Sequence, residues 1–297
     1  MPGGDCRMNM DRYRIGSDDK LRLKDYDPED TAGFKDKDEV QEKFEDLLDR
    51  LAEQQDRLFA SRSNGVLVVL QGMDCSGKDG VIKKVFGGIN PGGFRAYSFK
   101  KPTEEESAHD FLWRTHKDVP AKGYIAAFNR SYYEEVLITR VHGHVSDKEA
   151  RRRLKQIRHF EEMLTTQNVL VVKLFLHISP EFQLEKIRDR MENPEKLWKF
   201  DPTDLQERQY WKEYTSAYED AIRRTATDGS PWHIVPSNNR WFRNYLVLRL
   251  LVEELEKLGL EYPKPELDLS AFPIEESSLE KIDAEKETNS SSRPLLA

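Results

Sequence analysis

Cysteine is nearly absent from this chain: Cys6 and Cys75 are the two thiols in 297 residues. That excludes a disulfide framework and suits a reducing compartment. Long apolar runs are missing as well. No stretch approaches the ~20 residues that a membrane-spanning helix needs, and the N-terminus lacks the apolar core of a signal peptide. These absences predict a soluble, cytoplasmic protein with no membrane partner. There is no excess of positive charge either, since 47 Lys and Arg stand against 54 Asp and Glu for a net charge of -7. A general nucleic-acid binder is therefore not expected, and a polyanionic substrate would have to meet a local basic patch. The chain carries no internal repeat.

The length and a 37% hydrophobic content suit one large α/β domain with flexible ends. The chain is organised around Val66 to Asp79, VLVVLQGMDCSGKD. An apolar, β-branched run that breaks into glycine reads as a buried parallel strand feeding a tight turn. Gly72 and Gly77-Lys78 enclose Met73, Asp74, Cys75 and Ser76 in the spacing G-x-x-x-x-G-K, the phosphate-binding P-loop pattern. Its glycines let backbone N–H groups turn inward on phosphate oxygens, and the lysine adds a point charge. The helix that follows, to about Phe86, aims its N-terminus at the same anion. The Ser or Thr that ordinarily follows the lysine is here Asp79, and a second acid, Asp74, lies inside the loop. Two carboxylates in a phosphate cradle repel substrate unless a cation lies between them. A chance glycine turn is the alternative.

Around this stretch, residues 1–38 read as a polar arm with Tyr13, Tyr26 and Phe34 as candidate anchors. Helical spacing of Val40, Phe44, Leu47, Leu48, Leu51 and Leu58 predicts a helix from Glu39 to Ser61. Strands are expected near Arg95–Phe99, Tyr124–Phe128, Val169–His177 and Trp232–Pro236. Between them come helices near Thr103–Lys117 (opened by a Thr103/Glu106 capping box), Ser131–Val141, Ser146–Thr166, Pro180–Met191 and Thr203–Ala226, then a last one near Arg240–Leu258. Alternating strands and helices imply a parallel sheet with helices on both faces. From about Leu260 the composition falls to Pro, Glu, Ser and Lys and predicts an extended, then disordered, tail.

Several side chains bear on chemistry. The Tyr124–Phe128 strand delivers Asn129 and then Arg130 where P-loop kinases usually place an acid. An amide can hold a metal-bound water but cannot neutralise the ion, so metal charge falls to Asp74, with Asp79 as a further candidate, and to substrate phosphates. Arg130 is placed to clamp a phosphate bidentately, unless it is a surface residue beside a Ser131 cap. Arg188, Arg190, Lys196 and Lys199 surround the Asn193-Pro194 turn, and Arg208 and Lys212 follow it. Two helices joined by a basic turn have the form of a kinase lid; a solvated charged face is the alternative. Lys83, Lys84, Arg95, Lys100 and Lys101 form another basic group, a candidate track for a long polyanion. His142-Gly143-His144 lacks further ligands at metal spacing and reads as a loop pair. Cys75 has no nearby histidine to make it a nucleophile.

Five motifs then match a known family in order and spacing: GMDCSGKDG at Gly72 to Gly80, KKPT at Lys100 to Thr103, FLWRTH at Phe111 to His116, FNRSYYEEVL at Phe128 to Leu137, and NPEKLWKFDPTDLQER at Asn193 to Arg208. Over roughly Tyr26 to Pro263 the chain resembles polyphosphate kinase 2. The resemblance implies an α/β P-loop kinase fold similar to thymidylate kinase, with a parallel sheet flanked by helices and a helical lid. The kinase domain would span 39–262, with the lid at about 188–212 and the tail at 263–297. It further implies transfer between inorganic polyphosphate and a nucleotide with Mg2+, or Mn2+ in its place, in a homo-oligomer, dimer or tetramer.

Carried over position by position, Asp74 resembles the metal-ordering Walker A acid, Lys78 the phosphate-binding lysine, Arg130 the Walker B arginine and Arg190 the lid arginine. Asn129 stands where many members have Asp. With Tyr-Glu-Glu after it, it resembles the class III subgroup, which phosphorylates both AMP and ADP. Glu134 occupies a position where other classes often carry Asn. The expected phosphate- and nucleotide-binding set is then Gly72, Met73, Cys75, Ser76, Gly77, Asp79, Asn129, Glu134 and Arg140. The expected polyphosphate set is Lys83, Lys84, Lys100, Lys101, Lys196, Lys199 and Arg208, and the nucleotides are adenine, with guanine as an option. An ATP-dependent nucleoside monophosphate kinase would share the fold and lid. An inactive nucleotide or polyphosphate sensor would explain Asn129 and the missing P-loop hydroxyl.

Overall fold

The computed structural model describes residues 8–17, 19–264 and 267. Cys6 and nearly all of the expected 263–297 tail lie outside the described residues. The N-terminal region is less loose than its polarity predicts. Asn9 caps a single 3-10 turn, Met10–Tyr13, by accepting from the Asp11 amide at 3.0 Å. Strand β1 (Arg14–Ile15) follows, and Met8, Tyr13, Ile15, Leu21, Leu23 and Phe34 are all buried. These apolar residues lie in short irregular pieces, so no helical or strand period reveals them.

Helix α1 (Asp38–Ser61) buries Val40, Leu47, Leu51 and Leu58 along one stripe and ends where Arg62 turns left-handed. Strand β2 (Gly65–Gln71) runs into the P-loop and helix α2 (Lys78–Val85). Strand β3 (Phe94–Ser98) precedes α3 (Glu104–Ala108), whose capping box forms in full: Glu106 N donates to Thr103 Oγ1 at 3.2 Å and Thr103 N to Glu106 Oε2 at 3.0 Å. The expected single helix to Lys117 is in fact two. Asp110 accepts from the Leu112 amide at 3.0 Å and opens a new turn, so α4 (Trp113–His116) begins separately.

Strand β4 (Ile125–Asn129) leads to α5 (Glu134–Val141) and α6 (Asp147–Thr166), the latter capped by Ser146. Strand β5 (Val169–His177) is followed by α7 (Pro180–Glu192), with Ser179 as cap and proline in the first turn. The predicted Thr203–Ala226 helix also divides, into α8 (Pro202–Glu207), a 3-10 turn at Arg208–Tyr210, and α9 (Trp211–Thr225). Arg208 reaches back to the start of α7, donating to Pro180 O at 2.6 Å, and Tyr210 leaves helical geometry. Strand β6 (Trp232–Pro236) and α10 (Arg240–Glu256) complete the order.

The strands form one sheet in the order β1-β6-β5-β2-β4-β3, parallel except for the antiparallel edge strand β1. Strand β2 is central and buried throughout, and Val68 pairs with Ala127 on one side and Val172 on the other. Its period of two feeds two cores. Val66, Val68 and Leu70 pack with α1, α2 and α10, while Leu67 and Val69 pack with α5, α6 and α9. From β2 the chain passes to β3 and β4 on one side, then crosses to β5 and β6 on the other. The crevice beyond the carboxyl ends of β2 and β4 is the topological switch point at which such sheets hold ligands.

Candidate active site

The turn after β2 is tight enough to require its glycines. Gly72 has φ +147° and a Cβ there would lie 2.6 Å from Leu176 O; Gly77 has φ +94° and a Cβ would run into the Arg243 guanidinium. Cys75 is also left-handed, at φ +70°. Lys78, in the first turn of α2, is buried and folds back over the loop, donating to Gly72 O at 2.8 Å and Met73 O at 3.2 Å. Burial, and then the neighbouring Arg130 cation, hold its pKa below the ordinary lysine value.

Arg130 follows the end of β4 in a left-handed backbone, φ +60°, with its amide donating to Leu70 O at 3.1 Å. That conformation costs a non-glycine residue on the order of 1 kcal/mol or more and turns the side chain across the switch point. Its Nη2 donates to Asp74 Oδ1 at 2.5 Å. Burial pulls the Asp74 carboxyl up, but Arg130, Lys78 and Arg190 together outweigh it and keep the pKa below the usual carboxylate range. Glu134 lies half-buried against the same cluster. Burial raises its pKa against the opposing pull of Arg130 and Lys78. Oriented to satisfy both ends, the Gln71 amide donates to Glu134 Oε1 at 3.0 Å and accepts from the Ser131 amide at 3.1 Å. Asp79 and Asn129 meet each other: Asn129 Nδ2 donates to Asp79 Oδ1 at 2.5 Å. Cys75 stays a thiol, its pKa pushed up to about 11 by burial.

The 188–212 segment brings a third cation to the crevice. Arg190, near the end of α7, donates to Asp204 Oδ2 of α8 at 2.8 Å, and both exert their charge on Asp74 and Cys75. Asp204 is raised to about 6 by burial and then by the facing Asp74. His142 Nε2 lies 2.9 Å from Glu207 Oε1, and Tyr214 donates to the other oxygen of Glu207 at 2.6 Å, tying the end of α8 to α5 and α9.

Two residues here escaped the sequence reading. Gln183 of α7, buried, donates to Asp74 O at 3.1 Å and accepts from Arg208 at 3.1 Å, linking the P-loop to the far end of the 188–212 segment. Arg243 of α10 is buried behind the loop and donates to Ser76 O at 3.1 Å, with Asn244 as its other partner and no carboxylate bonded to it among the described residues. Desolvation lowers its pKa to about 10. Nothing local marks either residue, since each acts on the loop from more than 100 positions away.

The remaining expected cations scatter. Lys83 and Lys84 are exposed on the last turn of α2, and Lys100 and Lys101 are exposed after β3. Lys196 pairs with Asp189 at 2.8 Å, and Lys199 lies over the exposed Trp198 ring, 4.9 Å from its centroid. Arg208 is committed to Pro180 and Gln183. Arg140 is held at the α5–α6–α9 junction by Asp147 at 2.8 Å and Asp220 at 2.9 Å.

A phosphate cradle at the carboxyl end of a central parallel strand, faced by arginines from two other elements, can compensate the charge of a transferring phosphoryl group. Fold and site together define a P-loop phosphotransferase. Comparison with known proteins narrows the class: the polyphosphate kinase 2 family model matches residues 34–262, and the chain belongs to that family. It is 46% identical over 267 residues to the AMP/ADP-polyphosphate phosphotransferase of Meiothermus ruber, covering 90% of this chain and 100% of that one. It is 38% identical to the ADP-polyphosphate phosphotransferase of Rhodopseudomonas palustris, over 87% of this chain and 93% of the relative. The crystal structure of polyphosphate kinase 2 from Arthrobacter aurescens TC1 superposes with a TM-score of 0.84 at 40% identity, over 91% of this chain and 95% of that one. Among the described residues no helix is long and apolar enough to cross a membrane.

Proposed function

We propose that this enzyme transfers a phosphoryl group from inorganic polyphosphate to AMP and then to ADP, giving ADP and ATP reversibly. The observation that carries the reading is the convergence of Lys78, Arg130 and Asp74 at the carboxyl ends of β2 and β4 in a chain of this family. In the reaction an oxygen of the acceptor's terminal phosphate bonds to the end phosphorus of the polymer. The bridging P–O bond breaks, and the shortened chain keeps the electron pair. The acceptor phosphate is the nucleophile, so no side chain needs to be one. The loop amides and Lys78 hold one phosphate in line. Arg130 exchanges its bond with Asp74 for the equatorial oxygens in flight, and Arg190, released from Asp204 as the 188–212 lid closes, adds a second guanidinium.

The donor set fits a magnesium ion, or manganese in its place. Asp74 offers a hard carboxylate, and among the described residues no group of three or more His, Cys, Asp or Glu forms a closed cage. Magnesium is commonly held by one or two carboxylates together with substrate phosphates. When bound, the ion neutralises phosphate charge as a Lewis acid. We assign Asp74 to it, with Glu134 near, and leave Asp79 to its Asn129 partner. A cytoplasmic dimer or tetramer acting on adenine, and secondarily guanine, nucleotides completes the reading.

The test is ATP formation from AMP and long-chain polyphosphate with Mg2+, beside the same assay on Asp74→Asn. Wild-type turnover with the variant down by orders of magnitude supports the mechanism. ADP accumulating without ATP confines the enzyme to the first transfer. Turnover of AMP with ATP and none with polyphosphate would replace the donor. Nucleotide binding without any turnover would make the protein a sensor.

A further inference from the structure

Outside the cleft, one surface carries a marked excess of positive charge. A groove of about 700 Å3 lies between α6 and the end of α9, lined by Arg151, Lys155, Arg158, Arg223 and Arg224. Glu162 lies in it bonded to Arg158 at 2.9 Å, and Asp220 binds Arg223 at 3.0 Å and Arg224 at 2.6 Å. Five cations thus face two carboxylates, in a chain whose net charge is -7. Arg151, Lys155, Arg158 and Glu162 follow one another at steps of four, three and four, which is one solvent face of α6. The opposite face, Leu154, Ile157 and Phe160, is the one that packs on the sheet. Arg151 and Lys155 are exposed and have no ion-pair or hydrogen-bond partner among the described residues. A cluster of like charges with unpaired members repels itself and persists best where an anion is shared between them.

The groove belongs to the face of the sheet covered by α5, α6 and α9, whereas α2 and its lysines belong to the other face. A helix layer of about 10–12 Å separates it from the sheet. None of the groove's lining residues belongs to the P-loop cluster, so a short phosphate chain serves as the control for a long one. The shape of the groove, open and running along a helix with cations one turn apart, suits a linear polyanion.

We propose that this groove is a second, non-catalytic anchoring site for the distal part of long polyphosphate chains, raising affinity for long over short donors. The inference rests on the reading of polyphosphate as substrate, and its gain is one of effective concentration: a chain held here keeps its end near the cleft. Neutralising a linear polyanion releases counterions, so each cation lost should flatten the salt dependence of binding.

The experiment compares wild type with Arg151→Glu/Lys155→Glu, first by anisotropy of end-labelled long-chain polyphosphate across a salt series, then by kinetics with long-chain polyphosphate and with tripolyphosphate. Exposed helix positions of this kind change stability little, which a thermal melt verifies. The expected result is about a tenfold loss of long-chain affinity, with the slope of log K against log salt shallower by about 1.4 for two cations. KM for long chains should rise in step, while kcat and the KM for tripolyphosphate and ADP stay unchanged. Lys155→Gln alone should give a smaller shift of the same kind and keeps the test readable if the double variant unfolds. Unchanged long-chain binding, an equal rise for tripolyphosphate, or a change in sedimentation in place of a change in binding would each overturn the proposal, the last by making the groove a contact between copies. The anisotropy reading stands apart from catalysis: wild type that binds long chains through the groove but turns over only ATP would sink the donor assignment and leave the anchoring site.

Discussion

Arg130–Asp74 and Lys173–Glu161 are two ion pairs attached to adjacent strands of one sheet, and they differ mainly in their access to water. The first spans the cleft with side chains 39% and 26% exposed; in the second both are 0% exposed. Lys173 Nζ donates to Glu161 Oε2 and to Thr225 O, each at 2.6 Å, and faces the Trp232 ring. Glu161 Oε1 accepts from the hydroxyls of Tyr132 and Tyr133, each at 2.8 Å. Every strong donor and acceptor is answered inside the protein, which is what lets the charges stay dry. The dry pair holds Tyr132 and Tyr133, the residues directly after Arg130 and Ser131, and so fixes the turn on which the wet pair depends. A half-wet pair can trade its partner for a substrate; a dry one cannot. Similar chemistry thus leaves an exchangeable pair in one place and a fixed scaffold in the other.

The largest effect expected is at the wet pair. Arg130→Ala should lower kcat by about 10^3-fold or more, and Arg130→Lys should not rescue it because a point charge replaces a planar fork; stability by urea titration should barely move. Next comes the dry pair. Glu161→Gln strands a buried ammonium and should cost about 3–5 kcal/mol in urea unfolding, whereas Lys173→Met/Glu161→Leu should recover much of that. If instead Glu161→Gln left stability intact and removed activity, the contrast between the two pairs would collapse.

Arg243 lies between these cases, buried yet bonded to the P-loop. Arg243→Met should raise KM for phosphate substrates by about tenfold, with Arg243→Lys intermediate, and unchanged KM would reduce it to packing. The smallest effect is a pH slope. Asp204 has its pKa raised to about 6 from 3.8, so the fold favours its protonated form. Its contribution to stability is fully present below about pH 3.8 and is lost as pH rises through about 6. Asp204→Asn should remove that component from a plot of thermal midpoint against pH, and a superimposable plot would refute the shift.

Much of the fold was legible along the chain. The runs Val169–His177 and Trp232–Pro236 appear as strands with the expected bounds, and the Thr103/Glu106 box forms as read. The breaks at Asp110 and Arg208 were not legible, because one side chain in each case bonds backbone that a helical period does not see. In the site, Asp74, Lys78, Arg130 and Glu134 come together, and Arg190 brings its charge to Asp74 from α7. Arg140, in contrast, is occupied by Asp147 and Asp220, partners that only folding brings to it.

What the sequence by itself determined is local: a buried central strand, glycines where the loop must turn, a lysine at the helix start, and a net charge that confines polyanion contact to patches. Those follow from side-chain period and backbone freedom within a few residues. The tertiary structure decided which charges would be wet and which dry, and that Gln183 and Arg243 would grip the P-loop from behind. It also gathered α6 and α9 into one basic groove. The physical reason is that burial and Coulomb energy depend on distance in space and on access to water, and neither is written in the order of residues.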